Sequence, residues 1–221
     1  MTITFKQFIL MEADDDNDLL AMLERDCAPF LNESKHRGLL RRGMKASSFG
    51  GAKKVTDPFT GKELYFWENK VRKDRQPRDF SKAQHKELDE WFLKNHGFKA
   101  RSEGLFCFGD RAKNHVTAEY GQLYFIFPIG EFEYVWSPQI ADLYVEGLQN
   151  GMNHYPDDAT DEEKEKYSPI ELFMRGYTYK TTGLEKAVVG SNEIMIKCDK
   201  YYAFPQSAED ALRISLGLTV D

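Results

Sequence analysis

The nine residues Gly190-Ser191-Asn192-Glu193-Ile194-Met195-Ile196-Lys197-Cys198 open as a turn and continue as a strand. Gly-Ser-Asn is turn chemistry, and the apolar residues after the single carboxylate predict a strand with Glu193 at its start. A carboxylate there is held by a rigid sheet at the lip of a cleft, where it can stabilise a developing positive charge. The competing reading is a strand-edge glutamate that keeps the sheet soluble.

The rest of the chain bounds the choice. Its 221 residues suffice for one domain with a real core, and 41% hydrophobic with 14% aromatic residues argues against wholesale disorder. No apolar run reaches about 18 residues, so no membrane span is expected. Cys27, Cys107 and Cys198 are far apart and odd in number. That spacing points to a reducing compartment and no zinc site. The net charge of -6 is uneven: Lys35 to Lys82 carries 14 Lys/Arg against 5 Asp/Glu. A basic segment in an acidic protein points to a phosphate-bearing ligand or partner, with a solvated basic face as the alternative.

In chain order, Asp18 to Leu31 has helical spacing, and Gly38 to Met44 reads as a short strand containing Arg41-Arg42-Gly43. Ala46 to Asp79 reads as irregular, punctuated by Gly50-Gly51, Asp57-Pro58, Gly61 and Pro77. Its densest basic cluster, Arg72 to Arg78, includes Arg75. Ser81 to Asn95 is periodic in Leu88, Trp91 and Phe92 and stops at Gly97. Gly104-Leu105-Phe106-Cys107-Phe108-Gly109 is a short strand, and Ala112 to Tyr120 a helix. Leu123 to Pro128 and Phe132 to Trp136 are aromatic strands joined by Ile129-Gly130-Glu131. Ile140 to Leu148 and Pro169 to Arg175 are helices, with an acidic solvated stretch from Asp157 to Lys166 between them. A strand at Tyr201 to Phe204 and a helix at Ser207 to Leu216 finish the chain.

The GxGxxG, HExxH and GxSxG motifs and the lysine-bearing phosphate loop are absent, and the five histidines lack metal spacing. What remains resembles the Arg-Ser-Glu clade of ADP-ribosyltransferases in three pieces. Leu39-Leu40-Arg41-Arg42-Gly43 is similar to the Arg-Gly end of the family's first core strand. Gly104 to Gly109, followed by Ala118-Glu119-Tyr120-Gly121, resembles its Gly-Phe-x-Ser-Thr-Ser strand and following helix. Ser191 to Ile196 resembles the element that carries the catalytic Glu. The pieces fall in the family's order between Gly38 and Phe204.

The resemblance implies an α+β fold, an ADP-ribosyltransferase-like split β-sandwich with flanking helices. It implies NAD as substrate, no metal, and a host protein or nucleic acid as ADP-ribose acceptor. Glu193 would bond the nicotinamide-ribose 2'-hydroxyl and stabilise the oxocarbenium-like state. Arg42 would meet the NAD phosphates or adjoining ribose, Gly43 the nicotinamide amide, and Arg75 in its basic loop the diphosphate or the target. Tyr120 or Phe108 would stack on the nicotinamide ring, or serve simply as core. Two departures stand. The motif serine is either Cys107, in the gapless placement, or Ser102 just before the strand. Ser191 replaces the family's Glu or Gln two positions before the catalytic Glu, which leaves the acceptor open. Arg41 in place of Arg42 is a register alternative.

Met1 to Glu12, MTITFKQFILME, resembles the capsid-targeting leaders of internal head proteins in large tailed phages, cut by a prohead protease after Leu/Ile-x-Glu. An amphipathic first helix is the competing reading. The expected organisation is therefore a cleavable leader at 1–12 and a single transferase-like domain at 13–221, in the phage virion (head interior) and the host cytoplasm. The alternative function is a non-enzymatic phage head or nucleic-acid-associated protein on a degenerate transferase fold.

Overall fold

The structure is a computed structural model that describes residues 18–45, 49–78, 80–112 and 121–219. Eight strands form one sheet: β1 (Leu40–Met44), β2 (Lys53–Thr56), β3 (Glu63–Lys70), β4 (Leu105–Phe108), β5 (Gln122–Ile129), β6 (Glu133–Trp136), β7 (Glu193–Lys197) and β8 (Lys200–Pro205). Their order is β2-β3-β8-β5-β1-β4-β7-β6, and every pairing is antiparallel. Nine α-helices lie among the described residues: α1 (Leu19–Asp26), α2 (Ala28–Ser34), α3 (Lys82–His96), α4 (Ala100–Glu103), α5 (Leu143–Gln149), α6 (Asp161–Lys166), α7 (Pro169–Arg175), α8 (Leu184–Ala187) and α9 (Glu209–Ser215). The class is α+β.

Strand β7 carries the opening stretch and has a neighbour on each side, β4 through Phe108↔Glu193 and Cys107↔Ile194, β6 through Trp136↔Ile194. The edge reading of Glu193 is therefore corrected: the residue is buried in the interior of the sheet. Alternation does the rest. Ile194 and Ile196, with Leu105 and Cys107 opposite them, join the large core that also contains Leu23, Phe30, Phe127 and Leu212. Met195 turns the other way, into a second core with Leu88, Phe92, Leu143, Ile170 and Met174, and Glu193 shares its face.

Helix α3 shows why that second layer forms. Ser81 and Gln84 make a capping box, Gly97 ends the helix with a φ of 85°, and His85, Leu88, Asp89 and Phe92 fall on its buried face. Gly104 connects α4 to β4 where a Cβ would meet the Ala100 carbonyl oxygen at 2.2 Å, so the turn admits only hydrogen there.

Two further expectations change, and the sheet order adds a finding of its own. The segment read as irregular contains the β2–β3 hairpin, whose turn is held by Asp57 accepting from the Phe59 N–H and the Thr60 hydroxyl. Strands β5 and β6 do not pair: β5 lies between β1 and β8. The first helical run breaks at Cys27, with a proline in the first turn of α2. The helix expected from Ala112 to Tyr120 and the leader at 1–12 lie outside the described residues, apart from Ala112 itself.

Candidate active site

Glu193, the first residue of β7, points into a cleft lined by Arg42, Gly43, Arg75, Arg101, Phe106, Phe108, Asp142, Tyr144 and Glu193 itself. The cleft is narrow and opens to solvent on one side. Three consecutive strands build it. β1 brings Arg42-Gly43, β4 brings Phe106 and Phe108, and β7 brings Glu193.

The β1–β4 ladder comprises one residue pair among the described residues, Arg41↔Phe108. The two strands part beyond it, and the Arg42 guanidinium bridges the gap by donating to the Phe106 carbonyl. Successive side chains of a strand face opposite ways, and this separates the two arginines. Arg42 lines the cleft, while Arg41 is fully buried among Asp110, Glu209 and the Phe125 ring. Arg42, not Arg41, is the arginine of the site.

Glu193 is 6% exposed. Its oxygens lie 3.4 Å from Arg101 Nη1, and Oε2 also lies 3.4 Å from the Leu143 N–H. Burial pushes its pKa up, and the charge of Arg101 opposes that rise. Asp142 caps α5 by accepting from Tyr144 N at 2.9 Å and adds a second negative charge to the cleft wall. Arg42, Arg75 and Arg101 outnumber these two carboxylates. The Nε atoms of Arg42 and Arg101 are buried without a hydrogen-bond partner among the described residues.

No family model, curated protein or solved structure matches this chain.

The remaining candidates divide. Phe108 and Arg75 reach the cleft, and the Arg75 guanidinium lies 4.0 Å from the Phe106 ring centre. Arg72 and Lys73 of the same basic loop are exposed beside Asp74 and Asp199. Cys107 does not reach it. It faces the main core, opposite Glu193 across the sheet, and burial pushes its thiol up to about 12. Ser102 does not reach it either. Its hydroxyl donates to Asp89 and lies 3.0 Å from His85 Nε2, in a cluster between α3 and α4. Ser191 is exposed in the turn before β7, and Tyr120 lies outside the described residues.

Arg101, Phe106, Asp142 and Tyr144 complete the site without having been singled out from the sequence. Phe106 was legible as the residue two before Phe108 on one strand face. Asp142 was legible as an N-cap ahead of a helix. Arg101 had no local signal, because α4 is a single turn whose direction depends on α3. Among the described residues no group of three or more His, Cys, Asp or Glu is placed to hold a metal ion, and no helix is long and apolar enough to cross a membrane.

Proposed function

We propose that the chain is an NAD-dependent ADP-ribosyltransferase that cleaves the nicotinamide–ribose bond and passes ADP-ribose to a host macromolecule. The observation that carries this reading is the meeting of Arg42-Gly43, Phe108 and Glu193, from three neighbouring strands, in one cleft. The opening of the sheet between β1 and β4 supports the split-sandwich form of the fold.

In this reading Arg42 and Arg75 meet the diphosphate through charge-assisted hydrogen bonds, and Phe108 offers a ring face to the nicotinamide. Glu193 accepts a hydrogen bond from the ribose 2'-hydroxyl. The C–N bond breaks with its electron pair leaving on nicotinamide, which neutralises the pyridinium. Positive charge passes to the ribose, where the Glu193 carboxylate stabilises it. A nucleophilic atom of the acceptor bonds to the ribose carbon and releases its proton to solvent. The excess of guanidinium over carboxylate in the cleft suits a substrate with two phosphates.

The test uses NAD labelled in its adenylate phosphate. Incubation with host extract is expected to place label on a macromolecule, and Glu193→Ala, folded, is expected to place none. Absence of both transferred label and free nicotinamide contradicts the proposal. The leader-like Met1–Glu12 adds delivery from a phage head, with cleavage by a prohead protease. Mass spectrometry of mature virions is then expected to find a chain starting at Ala13, and an intact Met1 contradicts that route.

A further inference from the structure

Arg101 is held from four sides. Its backbone N–H donates to Asp89 Oδ1 at 2.8 Å, and the next N–H, of Ser102, donates to the same oxygen at 3.1 Å. Asp89, buried on α3, thereby caps a one-turn helix that has no side-chain cap of its own. The Ser102 hydroxyl on Asp89 and His85 against Ser102 complete the mooring. At the other end, the guanidinium lies 4.2 Å from the Phe106 ring centre and 5.2 Å from that of Phe80. The side chain is more than nine-tenths buried, and it ends with Nη1 equidistant from both oxygens of Glu193.

The groups around that carboxylate come from every side of the cleft. Arg101 on α4, Arg75 after β3 and Arg42 on β1 are positive, and Asp142 before α5 is negative. Tyr144 lines the same wall, and the buried phenol of Tyr179 lies within electrostatic range. Only Arg101 of the three arginines contacts Glu193 among the described residues. An ionised carboxylate offers about four acceptor sites. Here Oε1 is contacted by Arg101 alone among the described residues, so capacity remains for a substrate hydroxyl.

Resting on the reading of Glu193 as the catalytic carboxylate, we infer that Arg101 is its positioning residue. The guanidinium fixes the direction of the carboxylate, and its charge favours the ionised form against burial. Cys107 faces away from Glu193 and Ser102 is committed to Asp89, so neither does this.

The experiment compares wild type, Arg101→Lys and Arg101→Gln, each shown folded by circular dichroism. Two readouts are taken between about pH 4 and 9: nicotinamide release from NAD, and the carbon-13 titration of the Glu193 carboxyl, assigned with Glu193→Gln. Arg101→Gln is expected to move the Glu193 midpoint and the acid limb of kcat upward by about one unit, roughly a tenfold change. Arg101→Lys is expected to keep the midpoint near wild type yet lose about tenfold in kcat, because a point charge does not fix direction as a planar fork does. If Arg101→Gln does not fold, Phe80→Leu serves in its place, removing one wall of the clamp, with a several-fold loss of kcat expected at unchanged KM. A wild-type midpoint in Arg101→Gln, a wild-type kcat in Arg101→Lys, or a wild-type kcat in the substitute Phe80→Leu, overturns the inference. If wild type itself releases no nicotinamide, the proposed activity fails, and the carboxyl titration alone decides the role of Arg101.

Discussion

Arg101 Nη1 stands 3.4 Å from both carboxylate oxygens of Glu193, and both side chains are more than nine-tenths buried. Charge-assisted hydrogen bonds are usually about 2.7–2.9 Å long, so this pair is oriented without being closed. Its attraction does not fully offset the removal of the carboxylate from water, which is why the Glu193 pKa stays raised.

A stability prediction follows from that direction. A carboxyl with a raised folded-state pKa binds its proton more readily folded than unfolded. Stability therefore falls as pH climbs from the unfolded value, about 4.3, through the folded one. Glu193→Gln removes this loss and is expected to melt higher than wild type at pH 7, with the difference gone below about pH 4. A gain of about 1 kcal/mol would raise Tm by about 2–4 °C in a chain of this length. Thermal unfolding at the two pH values checks it, and a lower Tm for the variant at pH 7 contradicts it.

The two adjacent arginines should behave differently. Arg41 joins Asp110 at 2.6 Å and Glu209 at 2.8 Å, with Arg213 closing a network between β1 and α9. Burial would raise the Glu209 carboxyl, but Arg41 and Arg213 outweigh it and hold the group below its ordinary range. Arg41→Ala leaves the partly buried carboxylates of Asp110 and Glu209 to Arg213 alone among the described residues and is expected to cost about 1–3 kcal/mol. Arg42→Ala is expected to remain folded at 25 °C and lose about 10–100-fold in kcat/KM for NAD, the scale of a lost charge-assisted contact. Denaturant unfolding and steady-state kinetics separate the two, and equal kinetic losses with equal stability would refute the assignment of Arg42 to the cleft.

Cys107 is expected to be chemically silent. Its thiol is fully buried and pushed up to about 12 by burial, so native protein should resist iodoacetamide at this residue. Cys107→Ala should release nicotinamide within about threefold of wild type, since it removes one small core group on the opposite face of the sheet from Glu193. Peptide mapping after alkylation checks the first outcome. Rapid native labelling of Cys107, or loss of turnover in the folded variant, would return the thiol to the site.

These contrasts also show which parts of the molecule local sequence encodes. The strand at Glu193, the stop of α3 at Gly97 and the bounds of α7 follow from alternation, a left-handed glycine cap and Pro169 at a helix start. The β2–β3 hairpin was hidden because Lys53, Lys54, Glu63 and Glu68 place charges along both strands, where they pair as Lys54–Glu63 on one face and Lys53–Glu68 on the other. The pairing of β5 with β8 rather than β6 is long-range and leaves no mark between Ile129 and Glu131. The strands that carry Arg42, Phe108 and Glu193 were legible from their period, while the choice of Arg42 and Phe108 as site residues came from the resemblance. Arg101 was not legible, since Asp89, twelve residues away on another helix, sets where it points.

Nicotinamide release from NAD, followed for wild type and Glu193→Gln at neutral pH, tests the transferase reading most directly. Wild type is expected to release nicotinamide, and the folded variant to release it at least about 100-fold more slowly, the usual scale for losing an electrostatic stabiliser of the transition state. Equal rates in the two proteins, or no release by folded wild type in the presence of host extract, would contradict it.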